Sequence, residues 1–392
     1  MLQSYRRFNT YLGGEIQVHI AQVCYLAPPA LGGVEQHVLE LSRALIRRGH
    51  KVSIHTSNFL DLKGSALPKD LSSDEIPTYR YSSKFVKKTT LFSQPIHFPS
   101  LIFGLIKTNP DIIHVHSMAS MHLEICYIYA KLFKKPLVVT GHYSASDLKR
   151  LYTKRKKGKK TKRLIYWEKR LKKIMAYATL IAITEDEASA YRKLFGFSNI
   201  VVIPNGVDLK EFNPNLPRED FLLYVGRIVP EKRLDFLIDS LKLLNSKYPS
   251  QKLIIAGYAP DKDYLHSLKD SADKEIIFIS PERKELVELI SKAKALILPS
   301  KNEAFGIVLL EAMAGGAIPL ASNSGGFPLV LDDAGLLFDP DSKEDLVEKI
   351  RLLDNKELYQ TLKEKGLKRV AAFSWESVAK EIEEVYLNLV GR

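Results

Sequence analysis

The chain has 392 residues, of which 45% are apolar and 26% are charged. This composition excludes a disordered or collagen-like chain and is typical of a folded protein with one large core or two of ordinary size. Two cysteines, Cys24 and Cys126, exclude a disulfide framework and are expected to be buried thiols in a reducing compartment. No stretch approaches the roughly 18 apolar residues of a transmembrane helix. Residues 1–15 are too polar for a secretory signal and are interpreted as a tail.

The positive charge is concentrated in one segment. The formal net charge is +13, and residues 149–173 hold 14 Lys or Arg against a single acid, Glu168, so this segment accounts for the whole excess. Aromatic residues such as Tyr166 and Trp167 interrupt the cations, a mixture that suits an anionic membrane surface. A solvated lysine-rich segment without a partner is the alternative. Nucleic acid is not the expected partner, because no recognition motif accompanies the charge.

Apolar runs of strand length alternate with helical periodicity along the chain, which predicts repeated β and α units and parallel sheets. In the first half, a helix with an apolar face from Val34 to Leu45 is expected between the first two strands, and Gly49 closes it. The predicted strands of this half are residues 18–25, 52–56, 112–116, 137–140, 180–183 and 201–203.

A turn-rich stretch, residues 204–217, interrupts this pattern near the middle of the chain. A second series follows, with a helix whose apolar residues run from Leu234 to Leu244 and with strands predicted at residues 221–225, 253–256, 276–279, 295–298 and 318–321. The pattern predicts two doubly wound domains that face one cleft. We place them at residues 16–208 and 209–374, followed by a final helix within residues 375–392.

Glycines and cations follow the first strand of each series. Gly32 and Gly33 precede the first helix, so bare amides and a helix N-terminus could bind an anion there, although a plain strand-to-helix turn explains the same pair. Arg227 and Lys232 are expected at the carboxyl edge of the second sheet, where open α/β sheets bind ligands. A diphosphate would find two cations there. Two solvated surface cations are the alternative.

Two acids flank an apolar segment in the stretch PSKNEAFGIVLLEAMAGG, residues 299–316. Glu303 is predicted on the loop after a buried strand, and Glu311 about one turn inside the next helix, so both could face the same cleft. Helix capping by Glu303 and a solvated helix face around Glu311 are the alternatives.

Taken together, these segments resemble a family 4 glycosyltransferase of the two-domain GT-B fold. The resemblance runs from about residue 17 to the last helix, which it implies returns to the N-terminal domain. It rests on GGVEQHVLELSRALIRRGHKVSIHT (32–56), DIIHVHS (111–117), VVTGHYS (138–144), VIPNGVD (202–208), YVGRIVPEKRLD (224–235), EAFGIVLLEAMAGG (303–316) and FSWESVAKEI (373–382).

The resemblance implies a role for each candidate residue. Glu303 and Glu311 match the paired acids of the family's E-x7-E motif, the first reaching the donor sugar and the second the nucleotide ribose. Arg227 and Lys232 would neutralise the donor diphosphate, and His142 would face the reacting sugar. The implied catalytic set is Glu303, His142, Arg227 and Lys232. The resemblance also places at the donor Gly32, Gly33, Ile279, Phe305, Gly306, Ile307 and Val308.

Three positions depart from the family's pattern. Arg233 stands where glycine is usual, Gly257-Tyr258-Ala259 replaces a GxG turn, and Leu329 replaces a frequent glutamate. Because these positions surround the predicted donor pocket, they bear on the identity of the base and the sugar more than on the activity.

His114 and His116 alternate on a predicted strand and therefore share a face that a metal could use. Histidines that line a cleft at a strand end are the preferred interpretation. No metal and no other cofactor is expected.

The sequence predicts a retaining glycosyltransferase that takes a sugar from a UDP- or GDP-sugar. The basic segment indicates a lipid or lipid-linked acceptor at the cytoplasmic face of a membrane, with the enzyme bound peripherally. A soluble or polysaccharide acceptor, or epimerisation of the nucleotide sugar, are alternatives within the fold. A nucleic-acid-binding protein with a degenerate sugar site is the alternative from another class.

Overall fold

The computed structural model describes residues 17–30, 32–60, 67, 76–85, 96–118, 121–157, 162–301 and 303–391. The chain forms two compact units. The first unit is Met1–Tyr143, Asp147–Pro204 and Trp375–Arg392, and the second is Ser144–Ser146 and Asn205–Ser374. The chain thus passes to the second unit after Pro204, at the start of the turn-rich stretch. The expected tail, residues 1–15, lies outside the described residues.

The first unit alternates strands and helices in chain order. Its elements are β1 (His19–Val23), α1 (Gly33–Arg47), β2 (Lys51–Ser57), β3 (Thr78–Tyr81), β4 (Lys84–Phe85), β5 (Ile96–His97), α2 (Leu101–Thr108), β6 (Ile112–His116), α3 (Met121–Phe133), β7 (Leu137–Thr140), α4 (Ala145–Lys157), α5 (Lys162–Tyr177), β8 (Thr179–Ala182), α6 (Glu185–Ala190) and β9 (Ile200–Val202).

The second unit repeats this alternation, and the chain then returns to the first unit through its last helix. The elements are β10 (Glu219–Val225), α7 (Leu234–Lys247), β11 (Lys252–Ala256), α8 (Lys262–Ser271), β12 (Ile276–Ile279), α9 (Arg283–Lys292), β13 (Ala293–Leu298), α10 (Ile307–Gly315), β14 (Ile318–Ser322), α11 (Phe327–Leu331), β15 (Leu336–Phe338), α12 (Lys343–Leu352), α13 (Lys356–Val370) and α14 (Trp375–Val390).

Each unit is built on one parallel sheet. The strand order is β3-β2-β1-β6-β7-β8-β9 in the first unit and β12-β11-β10-β13-β14-β15 in the second. The order reverses between β1 and β6 and again between β10 and β13. At such a switch point the loops leave the sheet in opposite directions and open a crevice at the carboxyl ends of the strands. Each unit therefore has one defined place for a ligand.

The predicted α/β architecture and all eleven predicted strands are confirmed, with bounds that shift by at most two residues. The sequence reading missed β3, β15 and the β4–β5 hairpin. Each of these strands has two to four residues and so is too short to carry a periodic apolar signal. Cys24 and Cys126 are buried as expected, and burial raises the pKa of both thiols. Within the described residues, no helix has the length and the apolarity that crossing a bilayer requires.

The last helix, α14, is part of the core of the first unit. Trp375, Val378, Ile382 and Tyr386 are buried together with residues of α1 and of β1 and β2, among them Leu41. The apolar side chains recur every three or four residues, so one face of the helix is buried along its whole length. The expected return of the last helix to the N-terminal domain is therefore confirmed.

An ion-paired cluster holds the exposed side of α14. Arg48 Nε donates to Glu383 Oε2 at 2.9 Å, and His50 Nε2 lies 2.6 Å from Glu383 Oε1. Burial by itself raises the pKa of Glu383, but the hydrogen bonds from Arg48 and His50 lower it by more, so the net direction is downward. The carboxylate form is consequently stabilised in the folded state.

We expect Glu383→Gln to lower the free energy of unfolding at neutral pH by roughly 1–3 kcal/mol, because a charged acceptor of two donors is lost. A lowered pKa stabilises the fold above the ordinary value of 4.5, and this contribution disappears as the pH falls through the folded value. Urea titrations of both proteins between pH 7 and pH 3 should therefore converge at the acidic end. A constant difference across that range would contradict the assignment.

Candidate functional site

Residues from two neighbouring strands meet at the switch point of the second unit. Arg227 follows β10 and Glu303 follows β13, and these strands are adjacent and parallel. Parallel neighbours end at the same edge of the sheet, so both residues belong to the crevice where open α/β sheets bind ligands.

The backbone that carries Arg227 is fixed by close contacts. A Cβ on Gly257 would lie 1.9 Å from the carbonyl oxygen of Gly226, so the loops after β10 and β11 touch through their main chains. Ile228 N donates to Tyr258 O at 2.9 Å. The buried Tyr224 hydroxyl donates to the carbonyl of Arg227 itself, also at 2.9 Å. The exposed guanidinium thus extends from a rigid base.

Lys232 and Glu303 form an ion pair across the crevice. Lys232 ends a 3₁₀ turn, Pro230–Lys232, and its Nζ donates to the carboxylate of Glu303. The two side chains keep 21% and 26% of their surface exposed, so a ligand can reach both. Gly326 N donates to the carbonyl of Glu303 at 3.0 Å and holds the loop in place. The sequence predicted both residues for the donor but did not predict that they pair.

A tight glycine turn presents the start of α10 beside Glu303. Gly306 has a φ of 85°, and a Cβ there would lie 2.6 Å from the Phe327 ring. Phe305 is buried beneath this turn. The amides of Ile307 and Val308 belong to the first helical turn, which has no intrahelical acceptors for them. The turn thus supplies amide donors and the positive end of a helix dipole.

Glu311 lies inside α10 and is held by an arginine. Its side chain is buried, and Arg283 Nη1 donates to its Oε1 at 2.7 Å. Arg283 also donates to Glu211 and lies over the ring of Phe212. Burial raises the pKa of Glu311, and Arg283 acts in the opposite direction. Glu303 and Glu311 are therefore in unlike surroundings, the first on a loop beside a lysine and the second buried beside an arginine.

The three departures from the family pattern have different explanations. Arg233 has a φ of 56°, the left-handed conformation that glycine adopts most easily. Its guanidinium lies 4.6 Å above the Phe236 ring and also donates to the carbonyl of Pro340, which offsets the strain. Tyr258 holds the main chain of Ile228 while its own side chain is exposed. Leu329 is 51% exposed on α11, and nothing in its surroundings explains the substitution.

The predicted glycine loop of the first unit follows β1. A Cβ on Gly32 would lie 2.2 Å from a carboxylate oxygen of Glu35, whereas a Cβ on Gly33 would meet nothing within 4 Å. Burial raises the pKa of Glu35. A side chain at position 32 would therefore have to displace the end of the Glu35 side chain, whereas Gly33 is the position whose backbone a ligand can approach.

His142 lies beside two other histidines at the carboxyl edge of the first sheet. It follows β7 with a φ of 61°, which is rare for a residue other than glycine. His142 Nε2 lies 3.1 Å from His116 Nδ1, and its ring packs edge-on to that of His37, with 4.8 Å between the centroids. Burial first, and then the neighbouring imidazoles, lower the pKa of His116 and of His142 well below the ordinary value. Both effects favour the neutral form of these rings.

A buried glutamate holds the residue after His142. Glu187 accepts from the amide of Tyr143 at 3.0 Å, from the amide of Ile183 at 2.7 Å and from the Tyr191 hydroxyl at 2.7 Å. The pKa of Glu187 is raised to about 7 because the effect of burial exceeds that of the three hydrogen bonds, which lower it. These bonds keep the strained turn at His142 in one conformation.

The histidines that converge are not quite the pair that the sequence suggested. His114 and His116 do share a face, with 4.3 Å between their centroids. However, both nitrogens of His114 bond elsewhere, to Tyr386 Oη and Thr140 Oγ1, each at 2.7 Å. A nitrogen from each of His37, His116 and His142 lies within 4.8 Å of the others, which is close enough for one metal ion. His116 and His142 also belong to a chain of hydrogen bonds that includes Gln22.

Two protein-family models match this chain. One, described as Glycosyltransferase Family 4, covers residues 31–211. The other, described as Glycosyl transferases group 1, covers residues 208–369. Together they span the glycine loop, His142, the two cations and both acids. The chain belongs to the family 4 glycosyltransferases.

Curated relatives of this glycosyltransferase have different acceptors in their names. The phosphatidylinositol N-acetylglucosaminyltransferase gpi3 subunit of Schizosaccharomyces pombe is 26% identical over 91% of this chain and 78% of that protein. A glycogen synthase of Mycobacterium tuberculosis is 27% identical over 94% of both. The GDP-mannose:cellobiosyl-diphosphopolyprenol alpha-mannosyltransferase of Xanthomonas campestris is 29% identical over 78% of this chain and 79% of its own.

Solved structures share the fold. Sucrose-phosphate synthase from Thermosynechococcus elongatus superposes with a TM-score of 0.76 at 22% identity, over 96% of this chain and 100% of the other. The Anabaena protein HepE, solved with UDP, superposes with a TM-score of 0.70 at 18% identity, over 94% and 99% of the two chains. The glycosyltransferase therefore has the GT-B fold that its sequence predicts.

Sequence reasoning missed several residues that support the site. Arg283, Glu211 and Glu187 are far in sequence from the groups they hold, and no local pattern marks them. His37 does carry a signal, because it is a polar residue within the apolar stripe of α1 beside Val34 and Val38.

We expect Gly306→Ala to lower the free energy of unfolding by about 1–3 kcal/mol through backbone strain, and further through the clash with Phe327. Gly366→Ala is the matched control in the same unit. Its position is helical, and a Cβ there would lie 3.4 Å from Met313 Cγ, so this substitution should be neutral or slightly stabilising. Chemical denaturation of both variants measures the contrast. Equal stabilities would show that the turn tolerates a side chain.

Proposed function

We propose that this glycosyltransferase transfers a sugar, with retention of configuration, from a UDP- or GDP-sugar to a lipid or lipid-linked acceptor at the cytoplasmic face of a membrane. The part of the proposal that concerns the sugar donor rests on one observation. Lys232, Glu303 and the first turn of α10 converge at the carboxyl edge of the second sheet. The crystal complex of HepE with UDP supports a nucleoside diphosphate as the ligand.

The proposed chemistry is a displacement on one face of the sugar. The bond from the anomeric carbon to the diphosphate oxygen breaks, the acceptor oxygen bonds to that carbon, and the acceptor proton passes to the departing phosphate oxygen. Arg227, Lys232 and the amides of Gly306, Ile307 and Val308 stabilise the charge that develops on the diphosphate. Glu303 and His142 contact the sugar, and Glu311 the ribose. These protein groups supply the charge stabilisation, so no metal is part of the proposal.

Lys232→Ala and Arg227→Ala are each expected to lower turnover by about 100-fold or more, as loss of an oxyanion-stabilising group does. Lys247→Ala removes the same charge from the exposed end of α7 and should leave turnover unchanged. Thermal shifts with UDP, GDP, ADP and their sugar conjugates identify the base, because a ligand that binds the native state raises its melting temperature. Wild-type turnover in both variants, or no shift with any nucleotide, would refute the donor site.

The lipid half of the proposal comes from the basic segment, residues 149–173. Its backbone lies in α4 and α5 on either side of residues 158–161, which are outside the described residues. Relatives whose names specify phosphatidylinositol or a polyprenol diphosphate support a lipid acceptor. The relative named glycogen synthase supports a second candidate function for this chain, transfer of the sugar to a polysaccharide.

Each basic residue near an anionic surface contributes about 1 kcal/mol to binding. Replacing Lys154, Arg155, Lys156 and Lys157 with Gln is therefore expected to weaken flotation with phosphatidylglycerol-containing vesicles by more than about tenfold. The control replaces four lysines of the second unit with Gln, at positions 247, 252, 262 and 274. Equal flotation of both variants, or none by the wild type at low salt, would favour the polysaccharide acceptor.

A further inference from the structure

The histidine next to the proposed reaction centre, His142, is the half-buried last member of a chain of hydrogen bonds that starts in the core. Gln22 Oε1 lies 2.7 Å from His116 Nε2, and His116 Nδ1 lies 3.1 Å from His142 Nε2. Gln22 and His116 are fully buried on the adjacent strands β1 and β6. The chain therefore starts in the core of the sheet and ends at the strained turn after β7.

The chemistry of the first member fixes every hydrogen after it. An amide oxygen only accepts, so His116 must carry its hydrogen on Nε2. In a neutral imidazole the other nitrogen is then an acceptor, so His116 Nδ1 accepts and His142 Nε2 donates. His142 Nδ1 is left with a lone pair. We propose that Gln22 and His116 are positioning residues that hold His142 as the Nε2–H tautomer, so that its Nδ1 accepts a hydrogen bond from a hydroxyl of the bound sugar.

A neutral imidazole has one donor nitrogen and one acceptor nitrogen, so the tautomer decides whether His142 accepts from the sugar or donates to it. His116 Nδ1 and His142 Nε2 lie 3.1 Å apart, so one of them must accept the hydrogen bond, and an imidazolium would have no acceptor to offer. The opposite tautomer of His142 would present an N–H from Nδ1 to the sugar instead. Reversing a donor and an acceptor in a buried site leaves groups unpaired.

The Gln22 amide is itself connected to the last helix. Burial raises the pKa of the Tyr386 hydroxyl, and the side chain of Gln22 lowers it. Tyr386 in turn bonds to His114 Nδ1 at 2.7 Å. The amide whose oxygen faces His116 thus lies between the sheet and α14, and its Nε2 has no hydrogen-bond partner among the described residues.

A metal ion held by His37, His116 and His142 is the competing arrangement for the same nitrogens. It would use His116 Nδ1 and His142 Nε2 together as ligands, whereas the chain requires a hydrogen between them. The metal site and the hydrogen-bonded chain therefore exclude each other. They differ in whether the protein binds a metal ion and in which ring nitrogens carry a hydrogen.

The inference rests on the role that the proposed function gives His142, but its first test needs no turnover. Long-range ¹H–¹⁵N spectra of the full-length protein, labelled at histidine, report which ring nitrogen carries the hydrogen, and His142→Gln assigns the signal. We expect hydrogen on Nε2 of His142 in the wild type and a mixture of tautomers in Gln22→Met. Hydrogen on Nδ1 in the wild type would overturn the inference.

The second test separates positioning from structural support. His116→Leu is expected to lower kcat by on the order of 10-fold to 100-fold, with unchanged affinity for the nucleoside diphosphate that the second unit binds. His116→Asn should recover most of the loss, because its Oδ1 can accept from His142 Nε2. His55→Leu is the matched control, since His55 is buried on β2 of the same sheet and bonds to Ser53 and Tyr81. It should keep its kcat.

Three outcomes would overturn the inference. Inactive His142→Ala with fully active His116→Leu would overturn the positioning alone, whereas fully active His142→Ala would overturn the role of His142 as well. One equivalent of tightly bound Zn²⁺ in the purified protein, lost in His37→Ala, would replace the hydrogen-bonded chain with a metal site.

Discussion

Parallel strand pairing is the constraint on which the rest of the structure depends. All strands of the two large sheets run in one direction, so every loop that follows one of these strands leaves at the same edge. The reversal of strand order opens that edge at one place in each unit. Arg227, Lys232 and Glu303 meet at the reversal of the second sheet, and Gly33 and His142 lie along the same edge of the first. Backbone topology therefore selects the site before any side chain does.

Within that frame, the side chains of the candidate site are held by polar partners, some buried and some at the surface. Glu187 fixes the turn after His142, Arg283 holds Glu311, and the carbonyl of Glu303 accepts from Gly326. Bonds between buried groups are hard to exchange for water, so each supporting partner restricts its functional neighbour to one geometry.

Much of the fold and part of the site could be predicted from the sequence. Core strands such as residues 112–116 and 137–140 were placed at their observed bounds, because buried strands are mostly apolar runs. Short edge strands such as β3 were missed, since their stability comes from pairing and not from their own pattern. Glu303 and Glu311 were found through their spacing and the family resemblance, but the Lys232–Glu303 pair joins residues 71 positions apart and no local pattern encodes it.

The alternation of strands and helices, the family, and the cations proposed to bind a diphosphate could all be recognised in the amino-acid sequence. These properties are local, because they depend on periodicity and on motifs within about 20 neighbouring residues. Which polar groups share a buried environment depends on the tertiary structure. His114 and His116 share a face as predicted, but no local pattern indicated that Gln22, His37 and His142 would contact His116. Hydrogen bonding in a core depends on distances between remote segments, and these exist only once the sheet has formed.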